Sequence, residues 1–208
     1  MTSAILSDNF PLQIESDRTT SKQDREEKYI TSGVTWQAYE SLLLALGNSS
    51  GYRVAYLSET LEIMSPSRSH ELDKENIGRL LEAYLEAKRI RFWGLGSTTF
   101  KSQDKQAGKE PDKSYCIGTD KDIPDLAIEV VYTSGGADTL EIYQRLGIKE
   151  VWIWQNKQFK IYCLENNSYQ QQPQSKLLPD LDLALLAQYV LIQDPLDAMI
   201  EWRKQIQV

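Results

Sequence analysis

The chain contains one histidine, His70, so a metal centre built on several imidazoles is excluded. It has only two cysteines, Cys116 and Cys163, each inside an apolar run and without metal-ligand spacing. That pattern predicts two buried thiols in a cytoplasmic protein. No apolar run approaches the ~20 residues that a membrane-spanning helix needs, so no membrane association is expected. The opening stretch, MTSAILSDNFPLQIESDRTT, lacks a basic start and a sustained apolar core, which predicts no signal peptide. An excess of positive charge is also missing: the net charge is −7, which weighs against a generic nucleic-acid coat. Internal repeats and a composition break that would mark a linker are absent as well.

What is present fits one globular domain. The 208 residues, 41% hydrophobic and 25% charged, can bury a full core. Residues 1–30, with the charge run SKQDREEKY, read as a loosely ordered lead-in, and 31–208 as a single domain. GVTWQAYESLLLALG predicts a helix capped by Thr35 and ended at Gly47. GYRVAYLSETLEIMSPS alternates like a hairpin around Ser58-Glu59. The longest helix starts among the serines of SPSRSHE and runs to about Ile90. Its stripe Ile77, Leu80, Leu81, Tyr84, Leu85 marks the inward face, which Asp73 and His70 share while Glu71 and Glu75 point away.

RFWGLGSTTFKS reads as a strand, and EPDKSYCIG and IPDLAIEVVYTS as two more, each begun by a Pro-Asp pair. ADTLEIYQRLG is a short helix closed by Gly147. VWIW and FKIYCL form a hairpin, NNSYQQQPQS a polar loop, and two short helices finish the chain. The order predicts an α/β (α+β) domain with one mixed sheet flanked by helices and an added N-terminal helix and hairpin.

Within LAIEVV, alternation puts Glu129 on a face shared with Ala127 and Val131. A buried, unpaired carboxylate costs several kcal/mol, so an Arg or Lys partner, a raised pKa or a metal ion must compensate it. Asp112 begins the preceding strand, and on neighbouring strands the two acids converge. Two close carboxylates repel, which a hard divalent ion relieves, and Mg²⁺ takes one or two carboxylates with several waters. Such an ion supports phosphodiester hydrolysis. A structural ion pair with a basic residue is the alternative. Lys88 to Lys113 supplies seven basic residues against three acids and reads as a solvated loop or, beside such a site, as phosphate contacts. Trp152 and Trp154 read as packing residues.

The set MSPSRSHE, EPDKSYCIG, PDLAIEVVYTSGG and EIYQRLGIKEVWIWQ resembles the Uma-type family of restriction-endonuclease-like proteins, over roughly residues 33–164. The resemblance implies the PD-(D/E)XK nuclease fold and a DNA endonuclease using Mg²⁺, with Mn²⁺ as substitute. It implies that Asp112 and Glu129 are the motif's acidic pair. It also matches His70, Tyr143 and Gly147, with Asp73 as a further metal-site residue and a homodimer as one assembly open to such nucleases. The general motif wants a lysine where Val131 stands, and the family's lysine position, four residues before the tyrosine, is Thr139. Lys101, on the neighbouring strand, is the expected substitute, because Lys109 and Lys113 stand at odd offsets from Asp112 and face away by alternation. The missing lysine leaves a second reading open, a catalytically inactive nucleic-acid-binding or interaction protein on the same fold.

Overall fold

The computed structural model describes residues 24–47, 51–133 and 136–206. Among these residues, two sheets and five helices make up a mixed α+β fold. The first sheet is antiparallel. It holds β1 (Glu27–Thr31), the hairpin β2 (Arg53–Leu57) and β3 (Thr60–Ser65), and the short strands β5 (Phe100–Ser102) and β6 (Ala107–Lys109), in the order β1-β3-β2-β6-β5. Its helix α1 (Trp36–Leu46) is capped by the Thr35 side chain and closed at Gly47, as the sequence predicts. Ser58 and Glu59 both adopt positive φ (43° and 68°), the conformation that tight hairpins need. Gly108 is required in β6, because a Cβ there would lie 2.3 Å from the Tyr39 hydroxyl on α1.

The second sheet runs β11-β10-β9-β8-β7-β4, from β4 (Phe92–Gly94) through β7 (Lys113–Ile117), β8 (Leu126–Val130), β9 (Glu150–Gln155) and β10 (Gln158–Glu165) to β11 (Ser168–Gln172). Among the described strands only β8 and β9 pair in parallel, joined by the crossover helix α3 (Thr139–Leu146). Helices α2 (Arg68–Ala87), α4 (Leu183–Val190) and α5 (Pro195–Ile206) cover the other face. Alternation along β8 assigns its neighbours. Leu126, Ile128 and Val130 join the core under α2, α4 and α5, whereas Ala127 packs with Ile142 and Tyr143 of α3 and with Ala55, Phe100 and Ala107 of the first sheet.

The structure revises four sequence expectations. The single sheet is two sheets, because the expected strand over 91–102 splits over 95–99 into β4 and β5, which pair in different sheets. Residues 27–30, assigned to the loose lead-in, belong to β1, which pairs with β3 from Glu27↔Ser65 to Thr31↔Leu61; residues 1–23 of that lead-in lie outside the described residues. The polar loop NNSYQQQPQS contains β11, whose side chains are mostly exposed, so an edge strand leaves little apolar signal. Strand β6, only three residues long, had no periodicity to reveal it. Among the described residues, no helix is long and apolar enough to cross a membrane.

Candidate active site

Pro111 makes the turn on which the site depends. β6 ends at Lys109 in the first sheet, and β7 begins at Lys113 in the second. A proline cannot continue a hydrogen-bonded ladder, so the chain changes sheets there and Asp112 stands directly before the new strand. β7 pairs antiparallel with β8 in the register Lys113↔Ile128. Continued by one residue, that register sets Asp112 against Glu129. Like charges directly opposite on paired strands destabilise a sheet, so both must be compensated.

Asp112 is 2% exposed and Glu129 is 6% exposed. Asp112 Oδ2 accepts the Val130 N–H at 2.8 Å and Oδ1 faces His70 Nε2 at 2.8 Å, with Arg53 Nε 4.0 Å away. Burial opposes ionisation of Asp112, but the His70 bond and charge, the Val130 N–H and the Lys109 charge hold its carboxyl below the usual range. Glu129 Oε1 accepts the Tyr143 hydroxyl, and Oε2 lies 3.5 Å from Lys109 Nζ. Burial pushes the Glu129 carboxyl up to about 7 against the pull of Lys109, and the Asp112 charge adds to the rise. The two acids are therefore not equivalent. Asp112 is held ionised, while Glu129 sits near its titration point.

His70 is fully buried on the first turn of α2, and its other nitrogen, Nδ1, is 2.5 Å from Glu26 Oε1. Burial disfavours the cation, yet the bonds to Asp112 and Glu26 push the imidazole pKa up to about 9. Two carboxylate partners require both ring nitrogens to donate, so His70 offers no lone pair to a metal. Its geometry suits holding Asp112 in place. Asp73, one turn further along α2, is spent similarly: its Oδ2 accepts from the Tyr132 hydroxyl at 2.6 Å and from Trp154 Nε1 at 2.9 Å.

The structure separates the lysines. Lys101 is exposed and pairs with Glu40 of α1 at 3.0 Å. Lys113 pairs with Glu75 at 2.9 Å. Lys109, which alternation had turned away from the site, is the buried one. The charges of Glu129, Glu62 and Asp112 surround it and keep its ammonium protonated despite burial. The alternation argument fails because it was carried through Pro111, where the chain leaves one sheet for another. Proline was the available signal that parity should stop there. Glu26 is a second residue that the sequence did not single out, and nothing in its local pattern marks it. Tyr143 and Gly147, matched by resemblance, do belong here: Gly147 at φ 85° closes α3, the helix that aims Tyr143 at Glu129.

This arrangement, a carboxylate pair on adjacent strands backed by α2 and a buried lysine, was compared with known families. A family model, Uma2, described as "Putative restriction endonuclease", matches residues 36–192. The chain belongs to the Uma2 family. Comparison with curated proteins returns no match. The Uma2 match spans both sheets and contains Asp112, Glu129, His70, Asp73, Lys101 and Lys109, whereas Glu26 lies before it. Membership supports a restriction-endonuclease-like nuclease as the coarse function.

The site accommodates a hard divalent ion on donor chemistry. Three of the four carboxylate oxygens of Asp112 and Glu129 carry one named hydrogen bond or ion pair each, which leaves a lone pair on each, whereas Asp112 Oδ1 meets both His70 Nε2 and Arg53 Nε. Mg²⁺ needs only one or two carboxylates besides water. Among the described residues no group of three or more His, Cys, Asp or Glu side chains gathers in metal-ligand geometry, so water would complete the shell.

Proposed function

We propose that this Uma2 protein is a divalent-metal-dependent endonuclease that hydrolyses DNA phosphodiester bonds, with Asp112 and Glu129 as ligands of Mg²⁺ or Mn²⁺. The observation that carries the reading is two buried carboxylates, Asp112 and Glu129, close enough for the charge of one to act on the other, with an ammonium group 3.5 Å from a Glu129 oxygen. The ion would supply Lewis-acid polarisation of a phosphoryl oxygen and a more acidic water. Everything else falls to the chain. His70 and the Val130 N–H orient Asp112, and Tyr143 orients Glu129. Lys109 supplies fixed positive charge where the phosphorane's negative charge develops. Lys101 and the other exposed basic residues of 88–113 meet flanking phosphates, and Asp73 supports the site by fixing Tyr132 and Trp154. Cutting both strands of a duplex needs two such sites, which a homodimer provides.

The test is nicking of supercoiled plasmid by purified protein with Mg²⁺, with Mn²⁺ and with EDTA, repeated with Asp112→Asn and Glu129→Gln. Metal-dependent nicking lost in both variants supports the reading, and equal nicking by parent and variants refutes the site. One observation favours a second reading, an inactive nucleic-acid-binding protein on this fold: Thr139 occupies the family's lysine position while Lys109 serves as counter-ion to Glu129. DNA binding without nicking at any metal concentration would select that reading.

A further inference from the structure

The segment just before β1 lies across the candidate site. Glu26, whose side chain is 4% exposed, bridges two separate elements: its Oε1 meets His70 Nδ1 at 2.5 Å, and its Oε2 accepts the Thr133 hydroxyl at 2.8 Å. Thr133 lies three residues beyond Val130, whose N–H holds Asp112. Two residues earlier, Asp24 accepts from the Ser69 N–H at 3.2 and 3.3 Å and from the Ser69 hydroxyl. Ser67 caps the helix through the His70 N–H at 3.1 Å, so Asp24 serves a separate first-turn donor, the Ser69 N–H. The sheet does not need these residues, since the β1 ladder starts at Glu27. Tyr132, 43% exposed, and Thr133 mark where solvent begins beside His70, so Glu26 occupies the border between Asp112 and the outside.

We propose that residues 24–26 form an autoinhibitory strap, in which Asp24 and Glu26 occupy donors that otherwise receive the phosphodiester backbone of a nucleic acid. This rests on the nuclease reading above. The physical reason is competition for one kind of partner. Backbone N–H groups, hydroxyls and an imidazole N–H bind a phosphate oxygen as well as a carboxylate oxygen. A strand entering over Ser69, His70 and Thr133 would displace two acids and set a phosphate on His70 Nδ1, across the imidazole ring from the nitrogen that holds Asp112. Removing two negative charges from that border also favours the polyanion.

The experiment uses the full chain carrying Asp24→Asn with Glu26→Gln, and Glu27→Gln as control. Glu27 is exposed in β1 and removes the same kind of charge. Binding of a fluorescein-labelled DNA duplex is read by anisotropy in EDTA, and plasmid nicking is read with Mg²⁺. The strap predicts about tenfold tighter binding by the double variant, less than about twofold change for Glu27→Gln, and faster nicking wherever the parent nicks. It also predicts that the duplex speeds tryptic cleavage after Arg25 in the parent. Unchanged or weaker binding by the double variant overturns the strap, as does an equal gain in Glu27→Gln. A parent that nicks DNA with no gain in the variant overturns the strap alone. Tighter binding with no nicking by either protein overturns the nuclease reading alone and keeps the strap.

Discussion

Pro-Asp occurs at Pro111-Asp112 and again at Pro124-Asp125, and both aspartates are 2% exposed. Their surroundings make them different residues. Asp125 accepts the Ile117 N–H at 2.8 Å, and its other partners are the side chains of Lys121 and Lys149, the latter 65% exposed. These contacts are local or superficial, and they tie the β7–β8 turn to the start of β9. Asp112 faces inward to a buried imidazolium and, across the strand pair, to a second carboxylate. The same dipeptide is a turn lock in one place and half of a reactive site in the other. What distinguishes them is whether the partner groups can exchange with water.

That contrast can be broken by substitution. The largest expected effect is Asp112→Asn, which should reduce nicking about a thousandfold, because a metal ion's charge stabilisation is worth several kcal/mol at about 1.4 kcal/mol per decade. Asp125→Ala should leave nicking within about threefold of the parent while costing about 1–3 kcal/mol of stability, read by urea denaturation, since the Ile117 N–H loses its acceptor. Comparable activity loss in both variants would erase the distinction. Next in size is Lys109→Met, expected to lower nicking about a hundredfold. Lys101→Met, which breaks a surface ion pair with Glu40, should change it only a few-fold. Circular dichroism of Lys109→Met separates lost charge from lost fold.

The pH dependence sharpens the comparison further. His70, raised to about 9, binds more protons folded than unfolded between about 6.5 and 9, so its contribution is complete below 6.5 and is lost as pH rises through 9. Glu129, raised to about 7, works in the same direction from about 4.5 upward. Asp112, with a lowered pKa, contributes the opposite slope, lost only as pH falls through the acid range. The melting temperature should therefore decline from pH 6.5 to 9. Because His70 is the only histidine, one imidazole resonance in an NMR titration reports its midpoint directly; a midpoint near 6.5 would dissolve the buried Glu26–His70–Asp112 chain. The smallest effect is expected from Thr139→Lys, one helical turn before Tyr143 on α3: less than about threefold if Lys109 supplies the cation. Activity appearing only in that variant would transfer the case to the inactive reading.

Much of this was determined by sequence alone, wherever the cause is local. The cap at Thr35, the start of α2 among the serines of SPSRSHE, the stripe of α2 carrying His70 and Asp73 inward, the alternation exposing Glu129 to one face of β8 and the Gly147 terminus follow from contacts within a few residues. The closeness of Asp112 and Glu129 followed from sequence only on the condition that the two Pro-Asp strands are neighbours, which the β7–β8 pairing meets. Tertiary structure alone decided which of seven basic residues between 88 and 113 is buried, since Lys109 reaches Glu129 only because the chain changes sheets at Pro111. It also decided that the expected single sheet is two, and that Glu26 reaches His70 across 44 positions of sequence. Periodicity carries information over one element's length, whereas desolvation of a charge depends on whatever the whole fold brings to it.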